Sequence, residues 1–197
     1  MNTISLSLII VAAVVVFALV AVAAWFLSQR KKQSERLQQR FGPEYGRTVG
    51  ELGGRAKAES ELKAREQRVE RLTIAPLAPA DAARFSQAWN ALQGRFVDNP
   101  KGVVVQADQL VRELMLKRGY PMGDFERRAA DISVDHPAVV ENYRAAQAIA
   151  VRDERDEADT EELRKAVVHY RVLFDDMLEV REAKPAALPV EQVVVHA

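Results

Sequence analysis

Residues 4–27 read ISLSLIIVAAVVVFALVAVAAWFL and carry no charged side chain, and Arg30, Lys31 and Lys32 follow almost at once. A helix of this length spans roughly 36 Å, which is enough to cross a hydrocarbon core of about 30 Å with some tilt. The sequence therefore predicts a transmembrane helix over residues 4–27.

A cleaved signal peptide is the main alternative for this stretch, because Ala21-Val22-Ala23 resembles a small-residue cleavage site. Signal peptides begin with a basic region, whereas Met1-Asn2-Thr3 contains no Lys or Arg. The apolar run is also longer than the roughly 7 to 15 residues of a signal-peptide core. An uncleaved anchor is the favoured interpretation, and secretion after cleavage near Ala23 is the alternative.

The basic residues nearest the apolar run all lie on its C-terminal side, and we select five of them as a membrane-proximal set: Arg30, Lys31, Lys32, Arg36 and Arg40. The positive-inside rule then predicts an inner or plasma membrane protein with its N-terminus outside and its C-terminal domain in the cytoplasm. These side chains are also attracted to anionic lipid by about 1 kcal/mol each, although fixing the topology is their simpler role.

The composition excludes several functional classes. The chain has 28 Lys and Arg against 28 Asp and Glu, but residues 28–73 hold 12 against 7 and the residues after them 16 against 21. An acidic distal part argues against nucleic-acid binding, because neutralised phosphates dominate that affinity. The chain has 0 cysteines, which excludes disulfides, thiolate catalysis and cysteine-based zinc sites.

The hydrophobic patterning predicts an all-α chain in four segments. A transmembrane helix at 4–27 leads into a charged helical connector at 28–75, which Gly42-Pro43 breaks. After this break a second polar helical stretch covers about 44–72, and its charge-rich part at 59–71 indicates a solvated helix face. A helical bundle at 76–180 and a flexible Pro- and Ala-rich tail at 181–197 complete the chain.

The bundle segment reads as four to five amphipathic helices with local start and stop signals. The first covers about 79–97, and the second begins at the cap residue Asn99 and ends at Gly119. A short helix follows Asp124 up to about Ile132 and a longer one starts near Pro137. The last helix begins at Asp159, which has capping-box spacing to Glu162.

Two groups of residues are candidates for function. The first is a loop with two glycines and two aromatic residues that either presents an exposed recognition surface or only reverses the chain with its aromatics in the core: Tyr120, Pro121, Gly123, Asp124 and Phe125. The second is a weak polar cluster of Asp135, His136 and His169, for which helix capping is the simpler explanation. Neither has catalytic or metal-ligand spacing, so we expect no enzyme activity, no cofactor and no metal.

In several short segments the chain resembles a family of uncharacterised bacterial proteins that have an N-terminal membrane segment and a helical domain. These segments are RFGPEY at 40–45, RGYPMGDFE at 118–126, SVDHP at 133–137, ADTE at 158–161 and HYR with LF at 169–174. The resemblance covers about residues 36–178 and implies membrane association without any established activity or catalytic residue. Gly46, Gly50, Gly53 and Gly54 depart from the polar, helix-favouring residues expected there.

These observations predict a single-pass, membrane-anchored protein whose cytoplasmic helical module binds a protein partner or itself, as an interaction or scaffold module. The alternative is a helical bundle that holds a small ligand or metal and has a sensing or hydrolytic role.

Overall fold

The computed structural model describes the backbone of residues 3–178 and the side chains of residues 16–178, and the predicted tail at 181–197 lies outside them. Residues 3–178 form eight α-helices and no strand, which confirms the all-α prediction. The helices are α1 (Thr3–Phe41), α2 (Pro43–Leu52), α3 (Arg55–Val69), α4 (Pro79–Gly94), α5 (Pro100–Arg118), α6 (Phe125–Asp135), α7 (Val140–Asp153) and α8 (Thr160–Leu178).

The first helix is 39 residues long, or about 58 Å, and joins two different environments. Its large apolar side chains between Val16 and Leu27 are exposed, whereas Leu37 and Phe41 are fully buried. Within the described part of the chain, no helix is long and apolar enough to cross a membrane. Residues 4–15 of the predicted span lie outside the described side chains, and the transmembrane helix stays a prediction.

The predicted connector folds into a compact unit, which we call the neck: α1 from Ser34 onward, α2 and α3. Gly42 ends α1 with a φ of 50°, and Gly53 ends α2 in the left-handed conformation with a φ of 68°. Both backbone conformations favour glycine because it has no Cβ. The chain thus reverses twice, and the neck helices enclose a small apolar cluster of Leu37, Phe41, Tyr45, Leu62 and Val69, to which α6 adds Val134.

The structure departs in two respects from the predicted polar helical stretch over about 44–72, whose part at 59–71 is predicted to present a solvated face. The glycine pair at 53–54 divides it into α2 and α3. One face of α3 is buried, including Leu62 and the charged residues Arg65 and Glu66. The charge-rich sequence concealed this face because only a few of its positions are apolar.

The second unit, the bundle, comprises α4 to α8 and holds the larger core. Trp89 of α4 stacks on Phe174 of α8 with their ring centroids 4.6 Å apart. The predicted stripe of α8 is buried along its whole length: Leu163, Ala166, Val167, Tyr170, Leu173, Phe174 and Met177. Five helices around this core agree with the predicted four- to five-helix bundle.

Three helix starts in the bundle follow the predicted caps. The side chains of Asn99 and Asp124 accept hydrogen bonds from the backbone N–H three residues on, at 2.9 and 2.8 Å. Asp159 and Glu162 form the reciprocal pair of a capping box, at 2.7 and 3.1 Å. The helix expected near Pro137 begins later, at Val140, because His136 has a non-helical backbone.

The neck and the bundle are packed together, although the sequence predicted a boundary at residue 75. The backbone N–H of Ala75 donates to the carbonyl of Arg118, at 3.0 Å. Gly119, with a φ of 100°, brings this chain crossing so close that a Cβ on it would lie 2.4 Å from the carbonyl oxygen of Thr73. The bundle therefore packs against the segment that leaves the neck after α3.

We expect Leu62→Ala to lower the free energy of unfolding by about 2 to 5 kcal/mol, because Leu62 is fully buried in the neck. Leu52→Ala is the matched control, since Leu52 is 39% exposed in the same unit and its truncation should cost about 0.5 kcal/mol or less. Urea unfolding of the full-length protein in detergent, followed by circular dichroism, measures both. Equal losses in the two variants would contradict the packed neck.

Candidate functional site

The loop between α5 and α6 was the first candidate site, and its two aromatic residues lie inward. Tyr120 is 2% exposed, and its hydroxyl donates to Asp135 Oδ2 at 2.9 Å. Burial raises the pKa of Tyr120, so the hydroxyl keeps the proton that it donates. Phe125 is half-buried against Tyr143, with ring centroids 4.9 Å apart. The burial of Tyr120 agrees with the interpretation in which the aromatic residues of this loop close the core, and this side chain is not available to a partner.

The middle of the loop, residues 121–124, is exposed. Met122 and Gly123 line one surface groove, and Phe125 lines another. The smaller groove has a volume of about 360 Å³ and is lined by Gln109, Arg112, Glu113, Leu116, Met122, Gly123 and Arg128. Leu116 and Met122 are 59% and 39% exposed, so this groove presents apolar side chains among polar ones.

The larger groove lies on the other side of Phe125, between α2, α6 and α7. Its volume is about 640 Å³, and it is lined by Arg47, Phe125, Glu126, Arg144, Gln147, Ala148, Val151 and Arg152. Each of its arginines has a carboxylate partner, as Arg47 with Glu51 and Arg152 with Glu162 show. The groove therefore combines apolar walls with guanidinium groups whose charge is largely balanced.

The polar cluster of Asp135, His136 and His169 does not assemble into one site. Asp135 accepts from Tyr120, His136 Nδ1 bonds to Asp176, and His169 Nδ1 lies 2.8 Å from Asn142 Oδ1. Each side chain thus ties α6 or α8 to a different neighbour. Among the described residues, no group of three or more His, Cys, Asp or Glu is placed to hold a metal ion.

The strongest polar feature of the molecule is one that the sequence did not reveal, a buried ion network between the neck and the bundle. Glu44 of α2 is fully buried, and its Oε1 accepts from Arg65 at 2.9 Å and from Arg144 at 3.0 Å. Arg65 is in α3 and Arg144 in α7, so one carboxylate oxygen joins three helices. Arg144 also donates to Glu126 of α6 at 2.6 Å.

Three further ion pairs connect α3 to other helices, of which one adds to the contact with the bundle and two lie within the neck. Arg68 of α3 donates to Asp131 of α6 at 2.8 Å, and Asp131 is 1% exposed. Glu66 of α3, 5% exposed, accepts from Arg36 at 2.6 Å and pairs with Arg40 at 3.2 Å. Buried charges are stable in proteins only when they are paired, so each pair fixes the position of both helices that supply it.

The five cations of the predicted membrane-proximal set fall into two groups, according to whether they pair with Glu66. Arg36 and Arg40 pair with Glu66 of the neck, although their own side chains are 56% and 39% exposed, whereas Arg30, Lys31 and Lys32 lie closer to the apolar run of α1. The sequence places Glu44 directly after Pro43, in the first turn of α2. No local feature of the sequence indicates that the Glu44 side chain is buried.

Comparisons with known proteins identify no relative for this chain: no family model, no curated protein and no solved structure matches it. The resemblance to uncharacterised bacterial membrane proteins therefore stays an expectation from the sequence.

We expect Glu44→Gln to lower the free energy of unfolding by about 3 to 5 kcal/mol, because it leaves Arg65 and Arg144 buried without their shared carboxylate. Glu161→Gln is the control, since it removes the same charge from an exposed pair with Arg164, where the loss should be about 1 kcal/mol or less. Urea titration of the full-length protein measures both, and a loss for Glu44→Gln no larger than for the control would refute the structural importance of this network.

Proposed function

We propose that the chain is a single-pass membrane protein whose helical body lies at the membrane surface as an interaction or scaffold module. The observation that carries the proposal is the continuity of α1. Its exposed apolar side chains from Val16 to Leu27 lead without a helix break to Leu37 and Phe41, which are fully buried in the neck.

Lipid is the environment that fits the first part of α1. Eight large apolar side chains there are half or more exposed: Val16, Phe17, Leu19, Val20, Val22, Trp25, Phe26 and Leu27. Exposed apolar surface costs roughly 25 cal/mol per Å² in water, and a continuous apolar patch of this kind marks a membrane or protein contact. Together with the uncharged residues 4–15, this patch supports a bilayer-spanning segment.

Orientation follows from charge. The cations next to the apolar run lie on its C-terminal side, which supports a cytoplasmic body and an external N-terminus. A rigid connection through Leu37 and Phe41 would then hold the body in one orientation relative to the membrane.

The grooves beside loop 121–124 are the surface that we propose for a protein partner. They combine exposed apolar side chains with paired arginines and amides, a composition similar to that of protein interfaces, in which arginine and methionine are enriched. No catalytic constellation is found among the described residues of these grooves, and a binding role needs none.

We expect the full-length protein to resist extraction from native membranes by alkaline carbonate. Val16→Arg/Val20→Arg should weaken its membrane insertion, because an arginine near the centre of a span costs about 2.5 to 3.5 kcal/mol. Val97→Arg, at a side chain that is 90% exposed in the bundle, is the control and should leave membrane retention unchanged. Release of the wild-type protein by carbonate would refute the anchor.

We expect a photo-crosslinking residue at Met122 to capture one specific partner in native membranes. Leu116→Asp should abolish the product, because Leu116 lines the same groove. Val105→Asp is the matched control on α5, with a side chain 63% exposed against 59% for Leu116 and a position outside both grooves. Mass spectrometry identifies the product, and equal yields from the two Asp variants would contradict a partner in this groove.

A further inference from the structure

Because α3 runs parallel to α1, a second set of cations lies near the C-terminal end of the apolar part of α1. Ser34 of α1 donates to Glu59 of α3 at 2.6 Å, and Arg40 further along α1 pairs with Glu66 further along α3, at 3.2 Å. The second contact lies further along both helices than the first, so α1 and α3 run parallel. Residues of α3 therefore lie beside residues of α1 that are about 25 positions earlier.

At this offset Arg55 lies at the level of Arg30 along the two helix axes, and Lys57 lies at the level of Lys32. Arg55 lies four residues before Glu59, which is about 6 Å along the helix axis, and Arg30 lies the same distance before Ser34. All five cations at this level are exposed: Arg30, Lys31, Lys32, Arg55 and Lys57. We call them the basic collar, because they lie at the level where the apolar part of α1 leaves the folded body.

Two of the acidic residues near this level have partners outside the collar, and the third is within reach of one of its lysines. Glu51 pairs with Arg47 at 2.7 Å, and Glu59 accepts from Ser34 and Tyr45. Glu35 lies 3.9 Å from Lys31, which is the limit of an ion pair. The first turn of α3 contains no acidic residue, so its cations add to the positive end of the helix dipole instead of balancing it. The collar thus keeps an excess of positive charge facing the side from which the apolar helix projects.

We propose that the basic collar binds the headgroups of anionic phospholipids. The inference rests on the proposed membrane anchor and deepens it: α3 makes a second contact with the bilayer, so that the neck and the bundle are held close to the lipid surface. Anionic lipid is the partner that matches both the charge of the collar and the apolar part of α1 next to it.

A fluorescent probe on α3 tests the contact in the full-length protein. The chain has 0 cysteines, so Ala56→Cys provides a single labelling site between Arg55 and Lys57. The labelled protein is incorporated into nanodiscs of neutral phosphatidylcholine, with or without phosphatidylglycerol, and lipids with a quencher on the headgroup report contact. Glu70→Cys is the control site, because it lies about 21 Å further along α3 and away from the collar.

We expect quenching of the probe at position 56 to increase in anionic nanodiscs and the probe at position 70 to remain unquenched. Arg55→Gln/Lys57→Gln should lower the equilibrium constant for headgroup contact roughly 30-fold, since each cation near the surface contributes about 1 kcal/mol. Arg71→Gln/Lys165→Gln removes the same charge at exposed positions outside the collar and should retain the increase. Salt at about 1 M, where the Debye length is about 3 Å, should reduce it.

The outcomes separate this inference from the anchor. Incorporation into both kinds of nanodisc with equal quenching at position 56 would overturn the collar and leave the anchor intact. Association with anionic lipid alone would support the collar and overturn the anchor. Failure to associate with either lipid would overturn both, and an equal loss of quenching in the two charge variants would overturn the collar.

Discussion

The arrangement of this molecule depends on one buried carboxylate. Glu44 is fully buried and accepts from Arg65 and Arg144 on a single oxygen, and these side chains come from α2, α3 and α7. Each of the three would be costly to bury alone, because desolvation of an unpaired charge exceeds what packing can offset. The neck and the bundle therefore have one relative position in which all three charges are paired.

This constraint gives the long first helix a fixed relation to the rest of the protein. Leu37 and Phe41 fix α1 in the neck, and the pairs of Glu44 with Arg144 and of Asp131 with Arg68 fix the neck on the bundle. A protein that is anchored through α1 would accordingly hold its bundle in one orientation. The same packing sets the positions of the grooves beside loop 121–124 and of the basic collar, because these ion pairs join helices that supply both.

Features that depend on neighbouring residues in the chain were predicted well. Asn99, Asp124 and the pair of Asp159 with Glu162 cap the helices that the sequence assigned to them, because a cap joins side chains to a backbone N–H only three residues away. The apolar stripe of α8 was equally readable from its spacing. In α3 the spacing of apolar residues did not predict the buried face, because charged residues occupy much of that face.

The sequence by itself determined the uncharged apolar run, the helical class of the chain and where most of its helices begin, because these follow from composition, spacing and local hydrogen bonds. Only the tertiary structure decided that Tyr120 lies inside, that His136 and His169 bond to different partners, and that α3 packs against α1 through Ser34 and Glu59. Those outcomes depend on how α1, α3 and α6 to α8 pack. Packing brings together residues far apart in the chain, which no local spacing specifies.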